Sequence, residues 1–370
     1  MLFTIDKESL LNKIKTVEKV TVQRGIQPVL SNILFETEDN KLKLTATDLD
    51  MTIITKTTAA IKEEGKITLL ARKLFEIVSK LQDKPIEFAL NPDNNVMTIK
   101  CANSKFDIIG ISAEEFPKSL AVEGDEKNSI TISTDLFSKS IKDTVYAAAP
   151  YENRNVISGV FCKISEDVLE MAATDGNRLA RISQKIKNDN SNEVKIVIPS
   201  KTLNEFTRIS SLIFEDTVKL NASNSTLILK TNSYTIISKL IPGEYPQYQQ
   251  LIPKNTSNVV KINKNDLFNA IDRVSPLVND RTSVVKLILK EGKMELKAET
   301  PDSGTSEDVI DIDYKGDEFK IAFNYKLLLD FLKSADCDHI TLGLNSNQSA
   351  AVFRPLNDDD YVYLVMPMKI

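Results

Sequence analysis

Apolar and polar positions follow two rhythms along this chain. Within residues 6–20, Leu10, Leu11, Ile14 and Val17 fall on one stripe at helical spacing, with Lys13, Lys15 and Lys19 off it. The same rhythm predicts helices over 71–81, 134–146, 200–213, 263–275 and 324–336. Between them, runs such as NKLKLTATDLDMTI, DVLEMAATDGNRLA and GKMELKAET switch to a period of two, the mark of a half-buried strand. Asp39-Asn40 and Glu291-Gly292 supply turns ahead of the first and third of these runs.

The pattern is stated three times. FTIDKESLLNKIKTVEKV, from Phe3, returns as ITISTDLFSKSIKDTVYA from Ile130 and as VVKINKNDLFNAIDRV from Val259. Each copy is followed by strands and a second helix, in LLARKLFEIVSKL, VIPSKTLNEFTRI and AFNYKLLLDFLKS. Ile5 recurs as Ile132 and Ile262, a period near one third of the 370 residues and longer than that of common solenoids. Each unit is large enough for its own core. The expected class is α+β, with three repeated domains at 1–125, 126–254 and 255–370, each carrying two helices on antiparallel sheet. The boundaries are placed near 122–128 and 254–258, where charge, Gly, Pro or Asn replaces the apolar rhythm.

At 42% hydrophobic and 27% charged, the composition is that of a soluble globular protein. Structured sequence begins at once, so no signal peptide is expected, and no run approaches the roughly 20 apolar residues of a membrane span. Cys101, Cys162 and Cys337 suit neither a disulfide scaffold nor a metal knot, which favours a reducing cytoplasm. The net charge of −5 argues against indiscriminate nucleic-acid binding. Yet the helical segments hold more basic than acidic residues, including Lys73, Lys80, Lys139, Lys142, Lys201, Arg208, Lys264, Arg273, Lys326 and Lys333. Lys and Arg favour helices in any case; alternatively, equivalent helices form one layer that meets an anionic partner.

Catalytic chemistry is hard to find. The one histidine, His339, cannot supply a histidine metal site, and neither nucleotide-binding glycine fingerprint occurs. Asp48 and Asp50 share a strand face and invite a reading as metal ligands, but the second repeat has Asp175 and Asn177 there. Two rival readings stay open: a metal-dependent enzyme acting on nucleic acid through paired carboxylates, and a static protein scaffold.

The segments FTIDKESLL, PVLSNILFE, LTATDLDMTI, ARKLFEIV, EEFP, ISGVF, ATDGNRLA, IPGEYPQY, IAFNYKLLLDFL and YVYLVMPMKI carry a resemblance, in order, from one end of the chain to the other. By them the chain resembles the beta subunit family of bacterial DNA polymerase III, the DNA sliding clamps. The resemblance implies the DNA clamp fold: a three-domain crescent that closes with a second copy, head to tail, into a ring. It implies a processivity factor that encircles duplex DNA and slides along it without reading sequence. The same family pattern implies no catalysis, no metal, no cofactor and no membrane, in a cytoplasmic, nucleoid-associated setting. Implied partners are a second copy, duplex DNA, the DNA polymerase III catalytic subunit, the clamp loader, other DNA polymerases, ligase and mismatch-repair proteins.

The family's client pocket, carried onto this sequence, takes Ile157, Thr174, Gly176, Asn177, Arg178, Leu179, Pro246, Leu251, Asn324, Leu364, Met366, Pro367, Met368, Lys369 and Ile370. Methionine adapts to varied anchors, which suits many clients. Asn177 stands where the family commonly has histidine, Gln250 where arginine is common and Leu327 where tyrosine is common, so motif preference is expected to shift. The resemblance turns Arg24, Tyr151 and Arg154 toward DNA, together with the helix cations. It assigns ring closure to Phe106 and Ile108 at one end, and to Pro276 and Leu277 at the other.

Overall fold

The computed structural model describes residues 1–22, 27–118, 129–150, 155–188, 193–279 and 281–369. Its described helices are α1 (Lys7–Val17), α2 (Ala71–Lys80), α3 (Thr134–Lys142), α4 (Ser200–Leu212), α5 (Lys264–Val274) and α6 (Tyr325–Ser334). Each follows directly on a strand and is followed by a meander, so the repeat is built from two similar halves. The first turns are capped where the sequence turns polar. Asp6 accepts from the Ser9 N–H, Asn263 from those of Asn265 and Asp266, and Asn324 from that of Lys326. The repeat markers Ile5, Ile132 and Ile262 are all buried in the strands ahead of α1, α3 and α5.

The strands form four antiparallel sheets. A five-stranded sheet runs Ala60–Glu63, Leu2–Ile5, Ile86–Asn91, Val96–Cys101, Ser104–Ile109. A first eight-stranded sheet runs Ile130–Ser133, Thr217–Ala222, Thr226–Lys230, Tyr234–Lys239, Met51–Thr58, Lys41–Thr47, Asn32–Glu38, Gly65–Leu70. The second runs Val194–Pro199, Gly159–Ser165, Val168–Thr174, Arg178–Lys185, Tyr361–Val365, Ala351–Pro355, His339–Leu344, Asn258–Asn263. The four-stranded sheet runs Gly304–Asp311, Lys293–Thr300, Val284–Lys290, Phe319–Asn324. Asp39 and Asn40 take φ of 48° and 57°, as a tight hairpin between two of these strands demands.

The fold therefore has three similar α+β domains, but its eight-stranded sheets are continuous across the repeats. Consequently the chain packs into two compact units, one chiefly 1–135 with 204–240, the other chiefly 136–187 with 241 onward. Within the first unit, Phe3 and Phe88 stack at 4.8 Å in a core shared with Phe35. Within the second, Phe331 stacks on Tyr363 at 4.9 Å, fastening α6 to Tyr361–Val365, an interior strand of the second eight-stranded sheet.

Candidate functional site

The second unit holds a groove where Arg178–Lys185 pairs with Tyr361–Val365, placing Leu179 opposite Leu364. The turn ahead of Arg178 is tightly caged. Asp175 Oδ1 accepts from the N–H groups of Asn177 (2.9 Å) and Arg178 (3.1 Å). The Thr174 hydroxyl donates to the Arg178 carbonyl at 2.5 Å and accepts from the Gly176 N–H at 3.1 Å. Gly176 sits at φ +91°, a region costly for side-chain-bearing residues, and a Cβ there would meet only open space. The Asn177 carbonyl then receives the Met366 N–H at 2.8 Å, holding the C-terminal segment along the rim.

Beneath lies an apolar floor of Ala172, Leu179, Tyr248, Val352, Val362 and Leu364, with Phe161, Tyr245, Ile252 and Ala350 against it. Tyr245 ties the floor to the turn by accepting the Thr174 N–H at 3.0 Å. Tyr248 donates to Glu170, which also pairs with Arg181 at 2.5 Å. Burial opposes the Glu170 charge, yet the Tyr248 and Arg181 hydrogen bonds outweigh it and hold the carboxyl below its ordinary range. The cavity above is about 340 Å³, lined by Thr174, Gly176, Asn177, Arg178, Leu179, Gln250, Leu251, Ala350, Leu364 and Met366. Leu251 and Met366 are 62% and 46% exposed, so this rim offers apolar surface to an incoming chain.

The structure thus brings together Thr174, Gly176, Asn177, Arg178, Leu179, Leu251, Leu364 and Met366. Pro246 lies upstream of the lining, its carbonyl accepting the Tyr248 N–H. Pro367, Met368 and Lys369 continue the tail, where the Met368 N–H donates to Ala322 at 2.8 Å. Like these four, Asn324 and Ile157 do not line the cavity. Asn324 caps α6, and the Ile157 carbonyl accepts from Ala149 in a separate short turn. Ile370 lies outside the described residues, as do Arg24, Tyr151 and Arg154. Ala350 and the aromatic floor were not anticipated; the Tyr245/Tyr248 spacing in GEYPQY was the available signal.

Among the helix cations, Lys73, Lys80, Lys142, Lys201, Arg273, Lys326 and Lys333 are exposed. Lys73 pairs with Glu76 at 3.1 Å and Arg273 with Asp308 at 2.6 Å. Lys139 pairs with the buried Asp143 at 2.6 Å, and Lys264 donates to the Ala335 carbonyl at 3.0 Å. Arg208 departs furthest from a surface role. Its guanidinium donates to the Lys15 and Thr16 carbonyls, both at 2.9 Å, because the last carbonyls of α1 lack helical donors. The cation that sequence alone placed on a partner-facing layer is here a helix cap.

Phe106 and Ile108 lie on Ser104–Ile109, an edge strand; Phe106 is 38% exposed, not core, and the neighbouring Ile109 reaches 80%. Pro276 is exposed and Leu277 half-buried in a short turn after α5, where Leu277 accepts from the Thr300 hydroxyl at 2.8 Å. Asp48 caps its own turn and Asp50 pairs with Lys239 at 3.1 Å. Among the described residues, no group of three or more His, Cys, Asp or Glu could hold a metal ion, and no helix is long and apolar enough to cross a membrane. Cys101 and Cys162 are buried free thiols, and burial pushes the Cys162 thiol up to about 12.

Fold and site together define a three-repeat α+β protein with an apolar groove at a shared sheet. Family models for the N-terminal, central and C-terminal domains of the DNA polymerase III beta subunit match residues 1–120, 131–247 and 249–369. The beta sliding clamp of Synechocystis sp. is 32% identical, with 98% of each chain covered, and that of Bacillus subtilis is 30% identical with full coverage of both. A crystal structure of the DNA polymerase III subunit beta from Pseudomonas aeruginosa superposes with a TM-score of 0.93 at 28% identity over the whole of both chains. The chain belongs to the DNA polymerase III beta subunit family, the beta sliding clamps.

Proposed function

We propose that this chain is the processivity clamp of DNA replication, whose two copies close head to tail into a ring around duplex DNA. The observation that carries this reading is the apolar groove at the second shared sheet, in a chain matched end to end by the clamp family. In the groove, Leu251, Leu364 and Met366, extended by Met368 on the adjoining tail, anchor a short peptide of the Gln-x-x-Leu-Phe kind. Burial of such side chains contributes roughly 25 cal/mol per Å². One pocket then tethers many clients: the polymerase III catalytic subunit, other polymerases, the clamp loader, ligase and mismatch-repair proteins.

Sliding needs phosphate attraction without base readout, because bidentate base contacts would hold the ring in one register. Lys73, Lys80, Lys139, Lys142, Lys201, Lys264, Arg273, Lys326 and Lys333 supply this attraction, with Arg24, Tyr151 and Arg154. Long ammonium side chains exchange phosphate for water at small cost. Closure uses Phe106 and Ile108 against Pro276 and Leu277, covering sheet edges that would otherwise stay open. The domains divide at 1–125, 126–254 and 255–370, and the ring works in the cytoplasm on the nucleoid.

The test is topological. A ring loaded on circular duplex should stay bound and should leave once the circle is cut, with residual direct binding falling steeply as salt rises. Equal retention on circular DNA and on linear DNA with open ends would overturn the reading. Leu277→Asp should shift the dimer to monomer in sedimentation, because an unpaired charge enters an apolar seam.

A further inference from the structure

The groove's one lining cation is already committed inside the protein. Arg178 has a side chain only 10% exposed, with Nε 2.9 Å from Asp175 and Nη1 2.7 Å from Asp330 on α6. Its guanidinium lies 5.6 Å over the Tyr146 ring. The cluster therefore carries one positive and two negative charges. Asp175 is bound to the turn that it cages, whereas Asp330, among the described residues, makes its hydrogen bond to Arg178. Other cavity-lining polar residues, Thr174, Asn177 and Gln250, are neutral, and the exposed Lys369 lies beyond the lining.

We infer that Asp330 is a specificity-determining residue of the groove: as the second carboxylate on Arg178 it takes the Arg178–Asp175 pair from neutral to net negative, so that the rim favours neutral amides and disfavours acidic residues. This rests on the reading of the groove as a peptide site. Asp330 acts through Arg178 and is a positioning residue, not itself part of the lining. A free guanidinium would reward a carboxylate with a paired, charge-assisted hydrogen bond. A guanidinium held between two carboxylates presents net negative charge to the same group, and like charges across an interface are penalised.

The experiment uses the full chain and two labelled peptides of the Gln-x-x-Leu-Phe pattern, one with Gln and one with Glu at both x positions. The wild-type chain should prefer the Gln peptide. Asp330→Asn keeps an acceptor but removes the charge, and should shift the affinity ratio toward the Glu peptide by roughly threefold to fivefold. Asp330→Glu should restore the original ratio. In the wild-type chain the preference should shrink as salt rises to about 0.5 M, a measurement independent of how either variant folds. A ratio unmoved by both Asp330→Asn and salt would overturn the inference and leave the groove standing. Failure of either peptide to bind the wild-type chain would overturn the groove and the inference together.

Discussion

The chain joins its repeats twice by the same device, and the two joints differ in what they leave open. In the first unit Tyr234–Lys239 pairs with Met51–Thr58; in the second Tyr361–Val365 pairs with Arg178–Lys185. Both have the same turn cage. Asp48 Oδ1 accepts from Asp50 and Met51 as Asp175 does from Asn177 and Arg178, and the Thr47 hydroxyl matches Thr174. The Lys239 N–H donates to the Asp50 carbonyl at 2.9 Å as Met366 does to Asn177 at 2.8 Å. The register sets Ala172, Leu179, Val352, Val362 and Leu364 against Thr45, Thr52, Ile228, Thr235 and Ile237. An apolar floor in one joint is studded with threonine in the other. Leu49 stands at φ 76° where Gly176 leaves space. The same strand pairing and turn thus carry an apolar groove at one joint and a floor with three threonines at the other.

The strongest way to break the difference is to remove the C-terminal wall of the groove. Deleting the chain from Met366 onward should weaken a Gln-x-x-Leu-Phe peptide by more than about a hundredfold while the ring persists, because the residues proposed for closure lie elsewhere. Unchanged affinity by fluorescence titration would show that the anchor surface is not in the tail. Next, Leu179→Thr gives the groove the floor residue of the first joint. It should cost roughly 1–3 kcal/mol of peptide binding, read by calorimetry beside the unfolding curve so that lost folding and lost contact are separated.

The converse change addresses strain. Leu49 is 41% exposed and holds a left-handed backbone, so Leu49→Gly should stabilise the first unit by at most about 1 kcal/mol, strain relief being offset in part by lost burial and by the freer unfolded chain. A lowered melting temperature would mean that Leu49 packs more than its exposure suggests. The smallest effect concerns acid. Glu170 has a folded pKa below its ordinary 4.5, so its contribution is complete above that value and is lost as pH falls through the folded one. Wild type should therefore melt above Glu170→Gln at neutral pH, with the gap closing below about pH 4.5. The first joint has Lys43 and Ile54 at the positions of Glu170 and Arg181, and Lys43 pairs there with Glu36 at 2.8 Å, without the tyrosine and arginine partners of Glu170.

Periodicity alone determined much of this protein. The apolar stripe of α1, the alternation in LKLTAT and the recurrence of Ile5 as Ile132 and Ile262 are local, because a side chain's face follows from its place in a helix or strand. The ATDG turn and the Met-Pro-Met tail were legible as groove walls through family resemblance, and their cage follows from the short polar side chains of Thr and Asp. Tertiary structure alone decided how those walls were used. Arg178 reads in sequence as a free cation, but the fold brings Asp330 to its guanidinium from far along the chain. Arg208 reads as a surface charge on α4, but it meets the carbonyl end of α1. Ala350 and Tyr248 enter the groove because strands from separate repeats share one sheet. Periodicity reports which way a side chain points; only pairing between distant strands and helices decides what stands opposite it, and there a charge finds its partner.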